Sequence, residues 1–132
     1  MNLLLDTHVL LWWLIGDPGL SKTQEQALEH AEARGTVLGL SAISLWEIAK
    51  LEQKGRLRLH LAIDDLLGSL ESHPRLQVLP LSARIALEST RLGARFHPDP
   101  ADQIIVATAR VHGLRLVTAD HRIRKSAIVS IV

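Results

Sequence analysis

The chain has 132 residues, 47% of them hydrophobic and 22% charged, with a formal net charge of +1. That length points to one domain, and the composition supports a packed core and excludes a disordered chain. With no cysteine anywhere, disulfides and thiolate metal sites are excluded as well.

The first element is the short apolar run Asn2-Leu3-Leu4-Leu5, which ends abruptly in Asp6-Thr7-His8. A run of this length reads as a buried strand of a parallel sheet. Asp6 therefore falls at the carboxyl end of a strand, where open α/β sheets place their ligands. No glycine-rich loop follows, so this strand end offers a carboxylate rather than backbone N–H groups for phosphate. Thr7 to Ile15 reads as a helix stopped by Gly16-Asp17-Pro18-Gly19. Ser21-Lys22-Thr23-Gln24 has the pattern of a capping box and opens a helix to about Arg34, with Gly35 as its stop. Thr36 to Leu40 is expected as the second strand, followed by a helix from Ser41 to Lys54 and a stop at Gly55.

Residues 56–60 read as a connector or an extended piece, and residues 63–72 as a helix ended by His73-Pro74. Leu76 to Leu79 is the third strand, closed by Pro80. Ser82 caps a helix to about Leu92, and a loop from Gly93 to Pro98 leads into a helix from Pro100 to His112. Leu114 to Thr118 reads as the fourth strand, Ala119 to Ser126 as a loop or single helical turn, and Ile128 to Val132 as the fifth strand. Strands alternating with helices predict an α/β fold: a five-stranded parallel sheet flanked by helices, with right-handed crossovers, in one domain spanning 1–132.

This order carries four acids to one edge of the sheet. Asp6 ends the first strand, and Glu47 lies early in the helix after the second. Asp102 sits in the first turn of the helix that leads down to the fourth strand, and Asp120 comes two residues after that strand. Each has a local explanation too. Ser44-Leu45-Trp46-Glu47 matches a capping box, Asp99-Pro100 an N-cap with proline after it, Asp102 the acid favoured in a first turn, and Asp120 a turn residue. Asp6, straight after a buried run, has the least local reason to be there. Two carboxylates about 4 Å apart repel by roughly 4 kcal/mol at an effective dielectric near 20. Four together call for protonation or a cation. Oxygen ligands suit Mg²⁺ or Mn²⁺, and the chemistry implied is metal-assisted phosphoryl transfer, most simply hydrolysis of a phosphodiester.

Charge is uneven along the chain. Residues 1–74 hold six Lys/Arg against ten Asp/Glu, and residues 75–132 hold nine against four. A basic half around a few acids suits a polyanionic partner. Lys50, Lys54, Arg56 and Arg58, and after Asp120 the groups Arg122, Arg124 and Lys125, are placed to meet phosphates, or simply to finish solvated helices. Aromatics number only Trp12, Trp13, Trp46 and Phe96, which argues against base stacking on aromatic platforms. Of Trp12 and Trp13, one can face the core while the other points away. The seven histidines show no close-paired zinc-ligand spacing. With no secretory signal and no apolar run long enough to cross a bilayer, the expectation is a soluble, cytoplasmic protein that engages no membrane.

Four blocks in order carry a resemblance: Leu4-Leu5-Asp6-Thr7-His8-Val9-Leu10-Leu11-Trp12, Ser41-Ala42-Ile43-Ser44-Leu45-Trp46-Glu47-Ile48-Ala49, Asp99-Pro100-Ala101-Asp102-Gln103-Ile104-Ile105-Val106-Ala107-Thr108-Ala109 and Leu116-Val117-Thr118-Ala119-Asp120. Together they resemble the PIN domain, and most closely its VapC branch, the toxin ribonucleases of bacterial toxin–antitoxin pairs. The resemblance implies Mg²⁺- or Mn²⁺-dependent cleavage of RNA, a homodimer and a cognate antitoxin. It implies that Asp6, Glu47, Asp102 and Asp120 are the metal-binding and catalytic quartet. Thr118 would stand beside the last acid, orienting a metal-bound water or a phosphate oxygen. Asp99 is read as an N-cap just outside the ligand set, and Lys50 and Arg122 as substrate contacts. Gln103 stands where an Arg is common in this motif. Two alternatives stay open. A Mg²⁺-dependent phosphatase or receiver-type protein also puts acids after its first strand, although His8 occupies the second place of the Asp-x-Asp pair. A non-catalytic PIN-like module would bind RNA or protein without cutting.

Overall fold

The computed structural model describes residues 1–16 and 19–132. Strand β1 (Leu3–Leu5) leads to α1 (Thr7–Ile15) and α2 (Lys22–Ala33), then β2 (Leu38–Ser41), α3 (Ala42–Gln53), α4 (Ile63–Ser72) and β3 (Leu76–Leu79). Helices α5 (Ala83–Ser89) and α6 (Pro100–His112) precede β4 (Arg115–Val117) and α7 (His121–Ser126). The sheet is parallel, in the order β3-β2-β1-β4. β1, read first from its apolar run, is central and fully buried. Helix α1 stops at Gly16, whose φ of 69° takes the left-handed turn that glycine adopts freely; the predicted Asp17-Pro18 part of this stop lies outside the described residues. The capping box at Ser21 is formed, with both reciprocal bonds to Gln24.

Alternation along β1 divides the core. Leu3 and Leu5 join a cluster with Val9, Leu10, Leu28, Leu40, Ile48 and Leu70 on one face of the sheet. Leu4 joins Ile105, Val106, Leu116 and Ile123 on the other. Burying each such side chain contributes about 1.5–3 kcal/mol, which holds helices on both faces of the sheet. Among the described residues no helix is long and apolar enough to cross a membrane.

The sheet has four strands, not the five expected. The tail reduces to an isolated bridge between Leu116 and Ile131. In a parallel strand, alternate residues turn both backbone groups to the same side. Arg115 N bonds Asn2 O and Val117 O accepts from Asp6 N, so both ends of β4 face β1. Only Leu116 faces outward, donating to Ser130 O (2.8 Å) and accepting from Val132 N (3.0 Å). A three-residue strand thus has one residue to offer a further neighbour, and no ladder forms. Residues 121–126, read as loop or one turn, form α7 because Asp120 caps them, accepting from Arg122 N and Ile123 N.

Candidate active site

Asp6, Glu47, Asp102 and Asp120 line a single cavity of about 290 Å³, together with Asp99, His8, Trp12, Ala119 and Arg122. The fold brings each one there for an identifiable reason. Leu5 pairs with Val117, so the next residues, Asp6 and Thr118, emerge side by side from adjacent strands. Asp6 is also the N-cap of α1: Oδ1 accepts from Thr7 N (2.8 Å) and Oδ2 accepts from the Thr118 hydroxyl (2.6 Å). Asp6 thus has a local role that the sequence reading missed.

Glu47 lies in the second turn of α3. The capping-box reading of Ser44 and Glu47 does not hold, because Ser41 caps this helix and Ser44 is wholly buried inside it. Ser44 and Glu47 instead share a face turned toward Thr7, whose hydroxyl lies 2.8 Å from Ser44 Oγ and 2.5 Å from Glu47 Oε1. Asp99 caps α6, accepting from Ala101 N and Asp102 N through Oδ1 (3.0 and 3.2 Å). Asp102 follows in the first turn, only 8% exposed.

Thr118 stands beside the last acid, but its hydroxyl is already committed. It donates to Asp6 and accepts from Asp120 N (3.0 Å), so it positions both acids. Arg122 reaches the cavity, its Nη2 3.4 Å from Asp120 Oδ2 and 3.8 Å from Asp102 Oδ2. Lys50 lines the neighbouring groove instead. Trp13 packs against the core and Trp12 lines the carboxylate cavity, so the pair divides. Gly19 lies against the Trp12 indole, where an added Cβ would come within 2.9 Å of the ring.

One of the seven histidines without zinc-ligand spacing reaches the site all the same. His97 Nε2 lies 2.7 Å from Asp102 Oδ2, and the two side chains are largely buried. One donor atom each from His97, Asp102 and Asp120 falls within 4.8 Å of the others. Histidine spacing does not reveal it, because the partner is a carboxylate reached by the fold-back of the loop before α6. Gln24 completes the capping box of α2, and its Nε2 also donates to Thr118 O (2.8 Å), tying α2 to the end of β4.

Burial raises the Asp6 carboxyl above its usual range, against the bonds from Thr118 and Thr7 that lower it. Burial, with the charges of Asp6, Asp102 and Asp99, pushes Glu47 up to about 7 despite its bond from Thr7. Asp102 is raised by burial and by Asp6, Asp99 and Asp120, against its bond with His97. For Asp120 burial also acts upward, but bonds from Ile123 and Arg122 outweigh it and the carboxyl is lowered. Four carboxyls around one cavity, three of them resisting ionisation, form an oxygen donor set that fits a hard divalent cation.

Thr118→Val keeps the shape of the side chain but removes the donor to Asp6 and the acceptor for Asp120 N. It should destabilise the protein by about 1–3 kcal/mol in denaturant unfolding at neutral pH. An unchanged unfolding midpoint would show that Asp6 does not depend on this bond.

A family model described as PIN domain matches residues 3–129. The chain is 38% identical over 123 residues to Ribonuclease VapC22 of Mycobacterium tuberculosis, covering 93% of this chain and 90% of that one. Among solved structures it is similar to the DNA-bound VapBC of Salmonella typhimurium, with a TM-score of 0.72 at 23% identity over 100% of this chain and 97% of that one. It is also similar to FitAcB of Neisseria gonorrhoeae, with a TM-score of 0.63 at 25% identity over 98% of this chain and 95% of that one.

Proposed function

The chain belongs to the PIN-domain family, and from that membership we propose that it is a metal-dependent endoribonuclease, the toxin of a toxin–antitoxin pair. The observation that carries this reading is the meeting of Asp6, Glu47, Asp102 and Asp120, from four separate segments, around one cavity. The ribonuclease relative supports RNA as the substrate. The similarity to the VapBC structure supports a cognate antitoxin as partner. A homodimer, and one functional domain over 1–132, complete the proposal.

In this reading Asp6, Glu47, Asp102 and Asp120 hold Mg²⁺ or Mn²⁺, and His97 fixes the orientation of the Asp102 carboxylate. When bound, the ion would polarise the scissile phosphate and offset its charge. Thr118 and Thr7 N hold Asp6 in place before any ligand arrives, so little reordering accompanies binding. Glu47, oriented by the Thr7 hydroxyl at 2.5 Å from Oε1, is placed to take a proton from an attacking water. Arg122 stands where it can meet a phosphate oxygen beside Asp120.

The test is incubation of the purified protein with unstructured RNA, with Mg²⁺ or Mn²⁺ and with a chelator. Internal cleavage that the chelator stops is the expected result. Binding without cleavage under every metal condition would instead leave a non-catalytic PIN-like module.

A further inference from the structure

A second groove, of about 470 Å³, opens beside the carboxylate cavity and shares His8, Glu47 and Asp99 with it. Trp46, one residue before Glu47, stands on its wall and is 53% exposed. An indole that could contribute a large burial term is thus left in water next to the site. Lys50 Nζ lies 5.6 Å from the centre of the ring, a cation–π contact that steadies the indole from its own helix. Farther along the groove come Lys54 and Arg56, both exposed and neither in an ion pair among the described residues. The groove therefore runs from acids, through an aromatic face, to free cations. The scarcity of aromatics argued against base stacking, but it could not show that one of three tryptophans lies open at the site.

We propose that Trp46 is a stacking platform for the base of a nucleotide flanking the scissile phosphate, with Lys54 and Arg56 holding the phosphates beyond it. This rests on the nuclease reading and deepens it: the substrate must be single-stranded where it crosses α3, because a paired and stacked base has no free face for the indole. A flat aromatic face accepts any base, so this contact positions the strand without reading its sequence. Charge complementarity favours the polyanion here over an apolar protein segment.

Binding of a fluorescently labelled, unstructured oligoribonucleotide and of its duplex would be measured by anisotropy in an Asp102→Asn background with Mg²⁺. Trp46→Ala should weaken single-strand binding about 10-fold or more, and Trp46→Phe should keep most of it. The duplex should bind more weakly than the single strand. Replacing Lys54 and Arg56 with Ala should lower the salt slope of log affinity by about 1.4. Single-strand affinity unchanged by Trp46→Ala, with an unchanged salt slope for the cation variant, overturns the platform and leaves the groove to a protein partner. Cleavage by the otherwise wild-type protein with KM unaltered by Trp46→Ala sinks the platform but not the nuclease. A Trp46-dependent affinity in a protein that never cuts RNA sinks the nuclease but not the platform.

Discussion

Asp102→Asn should lower the rate of RNA cleavage by at least about 10²–10³-fold while raising the thermal midpoint of the metal-free protein by a few degrees. The two effects have one cause. Asp102 is buried and faces the charges of Asp6, Asp99 and Asp120, all of which oppose its ionisation. An amide keeps the shape and retains a hydrogen bond with His97, whose Nε2 is 2.7 Å from the present carboxylate. It removes the repulsion and, with it, a ligand for the cation. The variant should also lose most of the rise in midpoint that millimolar Mg²⁺ or Mn²⁺ gives the unsubstituted protein. Scanning fluorimetry with and without metal, beside a cleavage assay, checks both. A variant that is destabilised without metal and still gains from it would show that the acids do not act as one cation-seeking cluster.

Metal-free protein should lose stability as pH rises from about 4.5 to about 7, and added metal should return it at the upper end. The fold favours protonated Glu47, whose carboxyl is moved from 4.5 up to about 7. Its contribution is therefore fully present below the unfolded value and is lost as pH rises through the folded one. Asp6 and Asp102 are shifted in the same direction. Asp120 is lowered, so its contribution is lost only under more acidic conditions, outside this window. Cation binding needs the ionised carboxylates, so the rise in midpoint on adding Mg²⁺ should be large at pH 7–8 and small near pH 5. Glu47→Gln isolates the effect: the difference between its pH profile and that of the unsubstituted protein should span the same window. Parallel profiles would show that Glu47 ionises as freely in the folded chain as in the unfolded one.

Much of the framework is local and could be read directly. Leu3-Leu4-Leu5, the Ser21–Gln24 box, the Asp99-Pro100 start of α6 and Gly113 at its end are decided by short-range preferences, and the structure has each in place. The convergence of the four acids followed from the same order, because in a parallel sheet the strands end, and the helices that return to the next strand begin, at one edge. Residue type alone set the limits on chemistry, with no thiolates and a surplus of cations in the second half.

What depended on register and on distant partners was decided only by the tertiary structure. The alignment of Leu5 with Val117 turns Thr118 toward Asp6, and the packing of α3 on α1 gives Glu47 its partner in Thr7. Folding of the loop before α6 sets His97 on Asp102. The shortness of β4 leaves the tail a single bridge instead of a fifth strand. Burial raises three carboxyls and leaves Trp46 outside, because desolvation belongs to the assembled surface and not to any one residue.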